Sequence, residues 1–148
     1  MSTDGERHVE YNQDNMPTEI TFNGTTSYIT YDGENSRVMK TGGSETVIYV
    51  GEIFEKRGST ETSYIFANGA RIATISGTDK YFHLSDHLGY TSITTDASGN
   101  FVEEIGYLPF GAMFFTKPDE ITFESDYTFT GQEFDEEYEL YNYDARLY

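Results

Sequence analysis

Short runs of β-branched, aromatic and alternating residues recur along this chain, each closed by glycine, asparagine or aspartate. No window of about 11 residues or more sustains a 3.6-residue apolar repeat, so the pattern argues for strands rather than amphipathic helices. The runs predict strands at 19–22, 27–31, 37–40, 46–56, 62–66, 71–76, 80–84, 91–95, 101–107 and 138–143. Asn23-Gly24 and Asn68-Gly69 are dipeptides that accept positive φ at both centres of a two-residue hairpin turn. Gly42-Gly43, Asp32-Gly33 and Ser98-Gly99-Asn100 supply further turns. The expected fold is all-β: consecutive antiparallel hairpins forming a curved, spiralling sheet, with short irregular or helical turns near 116–137.

Part of the pattern repeats. Tyr11-Asn12-Gln13-Asp14-Asn15 and Tyr31-Asp32-Gly33-Glu34-Asn35 share one arrangement and lie 20 residues apart. A fixed period of that length marks stacked supersecondary units. The tyrosine ends a strand, the Asx side chain bonds the backbone ahead of it to start a turn, and the last Asn tolerates the left-handed conformation. Asp96-Ala97-Ser98-Gly99-Asn100 and Tyr143-Asp144 are looser echoes.

Composition supports strands and narrows the partners. The 148 residues suffice for one domain, with 13 Tyr, 11 Phe, 14 Gly, three Pro and no Trp. Aromatic side chains favour pleated surfaces, and tyrosine suits a sheet wetted on one or both faces. The formal charge of −17, from 9 basic and 26 acidic residues, argues against nucleic acid and against anionic membranes. It fits a charged surface that discourages edge-to-edge strand pairing. With no cysteine, disulfides and thiolate metal sites are excluded. Residues Met1 to Glu6 contain no apolar signal-peptide core, and no apolar run reaches membrane-spanning length.

Candidate chemistry is sparse. His83, Asp86 and His87 form one cluster that suits zinc or acid–base work. On a strand, His83 and His87 share a face and Asp86 takes the other, so structural hydrogen bonding is the preferred reading. Glu133, Asp135, Glu136, Glu137 and Glu139 crowd together, yet lack the pattern of a calcium loop and read as a solvated acidic loop. No Gly-x-Ser-x-Gly elbow, Walker loop or dinucleotide fingerprint occurs. Tyr141 and Tyr143 alternate in a way that suits stacking on sugar rings, and equally suits cross-strand packing. No catalytic, cofactor-binding or metal residue is assigned.

Several segments taken in order resemble a known family. Tyr28-Ile29-Thr30-Tyr31-Asp32 through Arg37-Val38 resembles the YD repeat, Tyr-x-Tyr-Asp followed by a turn and an arginine. Tyr81-Phe82-His83-Leu84-Ser85-Asp86-His87-Leu88-Gly89 resembles the signature of the RHS repeat-associated core. Tyr107-Leu108-Pro109-Phe110-Gly111 is similar to that family's Tyr-x-Pro-Phe-Gly. Phe129-Thr130-Gly131-Gln132-Glu133, with Leu140-Tyr141 and Ala145-Arg146-Leu147-Tyr148, resembles its closing motif. The order and spacing agree over nearly the whole chain. There are departures: Asn15 and Asn35 stand where the family has its turn glycine, Leu108 where aspartate is common, and Asn142 and Asp144 where aromatic residues or glycine are common.

The resemblance implies a section of RHS/YD-repeat shell, with YD hairpins over 1–78 and the core region over 79–148 as one continuous unit. Proteins of the family wind such hairpins into a hollow β-cocoon around a C-terminal toxin, and many release that cargo by aspartyl autoproteolysis. The proteolytic motif of the family lies beyond the position of Tyr148, so the expectation is a structural part, not an enzyme, without cofactor or metal. Expected partners are the rest of the shell or another copy of the chain, a toxin cargo and cell-surface glycans; the implied setting is a secreted or cell-surface bacterial protein. A carbohydrate-binding or cell-surface module and an incomplete half of the autoprotease are the alternatives. Exposed sheet edges also predict self-association.

Overall fold

The computed structural model of the chain describes residues 7–85, 91–107, 113–117, 127, 132–143 and 146–147. In chain order the strands are β1 (His8–Tyr11), β2 (Pro17–Phe22), β3 (Thr25–Tyr31), β4 (Arg37–Thr41), β5 (Val47–Val50), β6 (Phe54–Arg57), β7 (Thr60–Ala67), β8 (Ala70–Ser76), β9 (Asp79–Ser85), β10 (Thr91–Asp96), β11 (Phe101–Tyr107), β12 (Met113–Lys117), β13 (Phe134–Asp135), β14 (Leu140–Tyr143) and β15 (Arg146–Leu147). Among the described residues there is no helix. The chain divides into two compact units. The first comprises Met1–Glu61 with Asp135–Tyr148, and the second Thr62–Phe134.

The first unit is a meander. Strands β1 to β6 lie side by side in sequence order, each antiparallel to the next. The short strands β13, β14 and β15 form a separate small sheet. Ile20, Phe22, Ile29 and Tyr138 make the buried cluster, with Val9, Tyr31 and Leu140 packed against it. Burying each large apolar side chain contributes about 1.5–3 kcal/mol. The core therefore combines the first hairpins with a tyrosine from the far end of the sequence. The Tyr31 hydroxyl donates to the Pro17 carbonyl at 2.8 Å, which satisfies its polar tip.

In the second unit, β7 to β12 again follow sequence order. The β7–β8 hairpin turns on Asn68 (φ 52°) and Gly69 (φ 79°), and β2–β3 in the first unit turns on Asn23 (φ 50°) and Gly24 (φ 81°). Both centres are left-handed, as two-residue turns of this kind require.

The Asx turns explain the repeat. Asn12, Asp32 and Asp96 each accept two backbone N–H bonds on Oδ1. The donors are Asp14 and Met16, Glu34 and Ser36, and Ser98 and Asn100, at 2.8–3.0 Å. Each Asx amide also donates to the carbonyl four residues on, and the residue at +3 donates back to the Asx carbonyl. The residue at +3 is left-handed in all three: Asn15 (φ 59°), Asn35 (φ 65°) and Gly99 (φ 80°). A register shift precedes each turn, at Glu10/Tyr11, Thr30/Tyr31 and Thr94/Thr95. The loose echo at 96–100 is thus the same structure. It needs an Asx oxygen and a residue tolerant of positive φ, not the tyrosine.

Some boundaries differ from expectation. The run 46–56 is not one strand but the hairpin β5–β6, because Gly51 takes φ 56° and reverses the chain. Strands β1 and β12 appear where the pattern was too short or too polar to mark them. The last expected strand starts at Leu140 rather than 138, because Glu139 sits at φ 54°, outside the extended region.

Candidate functional site

Strand β4 reads Arg-Val-Met-Lys-Thr, and its facing runs against its hydropathy. Met39 is 36% exposed, whereas Lys40 is 1% exposed. A buried ammonium is costly unless it is paired and hydrogen-bonded. Lys40 Nζ donates to Asp135 Oδ1 and, at 2.9 Å, to Glu137 Oε2. Arg37, on the same strand, donates from Nη1 to Asp135 Oδ2 at 2.9 Å. The Tyr138 hydroxyl also donates to Asp135 Oδ2. Asp135 therefore sits, 1% exposed, between two cations and a phenol. Burial pushes its carboxyl upward, but Arg37, Lys40 and the Tyr138 hydrogen bond outweigh this and hold it below the ordinary aspartate range.

A third cation joins from the N-terminal side. Arg7 donates from Nε to the Tyr138 carbonyl at 3.0 Å, lies 3.6 Å from Glu139 and sits 4.4 Å above the Phe22 ring. Three of the nine basic residues of a strongly acidic chain thus converge on residues 135–139. The turn between β4 and β5 is shaped for the same segment. A Cβ on Gly43 would stand 2.9 Å from Glu137 Cγ and Oε1. At Gly42 the φ of +91° and the Thr26 carbonyl 2.3 Å from an added Cβ require glycine for the local chain path.

The second unit holds a different polar cluster. Thr74, His83 and Thr94 stand on β8, β9 and β10, and all three are buried. Thr74 Oγ1 lies 2.7 Å from His83 Nε2, and Thr94 Oγ1 lies 3.2 Å from Nδ1. A hydroxyl can donate or accept, so either neutral tautomer is satisfied. Burial, with a smaller contribution from the Arg71 charge, lowers the imidazole pKa to about 4. Arg71 itself stacks on Tyr127 at 3.6 Å and on Tyr64 at 4.5 Å.

His83 is therefore a cross-strand structural residue, while Asp86 and His87 lie outside the described residues. The described residues contain no group of three or more His, Asp or Glu able to hold a metal. The acidic run corrects part of an expectation: Glu133 and Asp135 are buried and Glu137 is largely covered, while Glu136 and Glu139 are exposed as a solvated loop requires. Neutralisation by Arg37 and Lys40, about a hundred positions earlier, is what permits this for Asp135 and Glu137. Tyr141 is buried too, which removes it as a sugar platform. Nothing local in the sequence marks Lys40, because a lone lysine in a strand normally faces water.

No family model matches the chain. Salivary gland surface protein 1 of Aedes aegypti is 37% identical over 90 residues, covering 61% of this chain and 3% of that protein. Among solved structures, TcdB2–TccC3–Cdc42 matches with a TM-score of 0.81 at 15% identity, and TcdB2–TccC3 with 0.80 at 16%. The Photorhabdus luminescens Tc holotoxin pore matches with 0.77 at 17%. Each covers 96% of this chain, which spans 8% of the matched chain. At these identities the likeness is one of fold.

Proposed function

We propose that the chain is a wall-and-closure section of an RHS/YD-repeat shell, belonging to a secreted or cell-surface protein that encloses a toxin or other C-terminal cargo. The observation that carries this reading is the fold likeness to the TcdB2–TccC3 toxin structures over 96% of the chain. The thrice-repeated Asx-turn hairpin accompanies it, and supplies the regular unit from which a long wall is built. In this role the chain is a scaffold and performs no chemistry of its own. Its partners are neighbouring shell segments and the enclosed polypeptide.

The test is limited proteolysis of the whole gene product under native conditions. Any segment following the shell is expected to resist protease until the shell is opened by denaturant. Digestion of that segment at the rate of the free polypeptide would refute encapsulation.

A cell-surface module is the second reading, favoured by the 37% identity to a protein named for the salivary gland surface. Binding of the labelled chain to intact cells or to a glycan array supports it. Absence of binding on both leaves the shell reading in place.

A further inference from the structure

The first unit is discontinuous: the chain leaves it at Glu61, builds Thr62–Phe134 as a second compact unit, and returns at Asp135. What returns is short. Its attachment to the sheet is non-covalent and has a consistent sense, with cations on the sheet or just before its first strand and anions on the returning segment. Arg37 and Lys40 hold Asp135, Lys40 holds Glu137, and Arg7 holds Glu139 and the Tyr138 carbonyl. Tyr138 inserts among Ile20, Phe22 and Ile29, and Gly43 leaves space for the Glu137 side chain. Together these features are a receiving surface with an apolar socket, a cationic rim and a fitted partner.

We infer that residues 132–143 are a detachable clasp, and that the β1–β4 surface receiving them binds the same segment of a second copy of the chain. The partner residues within one chain are 95 to 132 positions apart. None of the contacts requires that the clasp and the receiving strands belong to one molecule. Exchange of an identical element between protomers preserves every native contact and so is a low-cost route to a dimer. Connection through the chain favours the closed form through an effective concentration that is finite, roughly millimolar for short flexible linkers and lower for long ones.

Charge selects the occupant. Two copies carrying −17 each repel over most of their surfaces. The gathering of Arg7, Arg37 and Lys40 makes this surface a place where an acidic, tyrosine-bearing segment is attracted, and the chain's own 132–143 segment has the matching sequence. The inference is independent of the shell reading, since the contacts that carry it, those of Asp135, Glu137, Tyr138 and Glu139, lie within the first unit.

The test uses two full-length charge reversals, Lys40→Glu and Asp135→Lys. Each chain loses its internal clasp. In a mixture, the intact Arg37/Lys40 surface of the Asp135→Lys chain meets the intact Asp135 clasp of the Lys40→Glu chain. A mixed dimer, seen by native mass spectrometry and sedimentation, is expected at least about tenfold above the dimer of either variant alone, equivalent to roughly 1.4 kcal/mol. Two folded variants that stay monomeric when mixed overturn the inference.

Should a reversed chain fail to fold, the milder full-length Asp135→Asn chain is titrated with a synthetic peptide of residues 132–143. Saturable binding that a scrambled peptide of equal charge does not reproduce supports the clasp. No binding, or equal binding of both peptides, overturns it.

Discussion

Replacing His83 by glutamine should flatten the pH dependence of the second unit's stability between pH 7 and pH 5. His83 is 6% exposed, flanked by the Thr74 and Thr94 hydroxyls, with Arg71 contributing a like charge. Its folded pKa of about 4 lies below the ordinary 6.5. The unfolded chain therefore binds the proton first. The stability contributed by the neutral buried ring is complete above pH 6.5 and is lost as the pH falls through about 4. At 1.36 kcal/mol per pKa unit, the full loss is on the order of 3.4 kcal/mol, of which about 1.8 kcal/mol falls between pH 7 and pH 5.

The hydrogen bonds themselves need not break. Both threonine oxygens can accept from an imidazolium, so the loss comes from desolvation and from Arg71, not from a severed network. The assay is urea unfolding at pH 7, 6 and 5, with amide exchange of β8, β9 and β10 reporting the second unit specifically. His83→Gln keeps a side chain able to donate and accept but cannot titrate in this range, so the difference between the two proteins isolates the ring. Equal pH dependence in the two proteins refutes the reasoning. It would mean that the buried carboxylate of Glu103, opposite Thr94 on β11, holds the imidazolium as well as water does.

Four further outcomes follow from the geometry. Asp135→Asn should destabilise the first unit by about 3 kcal/mol, at the low end for a broken buried pair because Lys40 keeps Glu137; chemical denaturation with exchange of β2–β4 reads it, and a loss below about 1 kcal/mol contradicts a buried ionic anchor. Because the Asp135 pKa is depressed, its stabilisation is present above the unfolded value near 3.9 and fades as the pH falls through the lower folded value, so Asp135→Asn should be less acid-sensitive than the parent below about pH 4. Asp32→Ala removes two backbone acceptor contacts and should cost about 1–2 kcal/mol in thermal or urea unfolding, while Asn35→Gly, at φ 65°, should be neutral or stabilising by up to about 1 kcal/mol. Gly42→Ala should cost more than Gly43→Ala, because an added methyl meets a fixed backbone carbonyl at Gly42 and a flexible glutamate side chain at Gly43; equal losses in unfolding free energy would show that the Glu137 slot is as rigid as the sheet.

The hairpins were legible in the sequence because turns are local. Asn23-Gly24 and Asn68-Gly69 specify left-handed turn centres within two residues, and the Asx turns at Asn12, Asp32 and Asp96 close within five. Local sequence was enough to specify an all-β chain of antiparallel hairpins and the conformation of its reversals. It did not determine which strand face is covered. In β5, with Val47 and Tyr49 buried and Ile48 and Val50 exposed, every position is apolar and alternation is silent. In β4 it misleads, since Lys40 faces inward and Met39 outward.

That Asp135, Glu137 and Tyr138 close on Arg7, Arg37 and Lys40 is a property of the folded chain. Burying a charge is unfavourable in isolation and tolerable only beside its counter-charge. Here the counter-charges lie about a hundred residues away or more, beyond the reach of any local pattern.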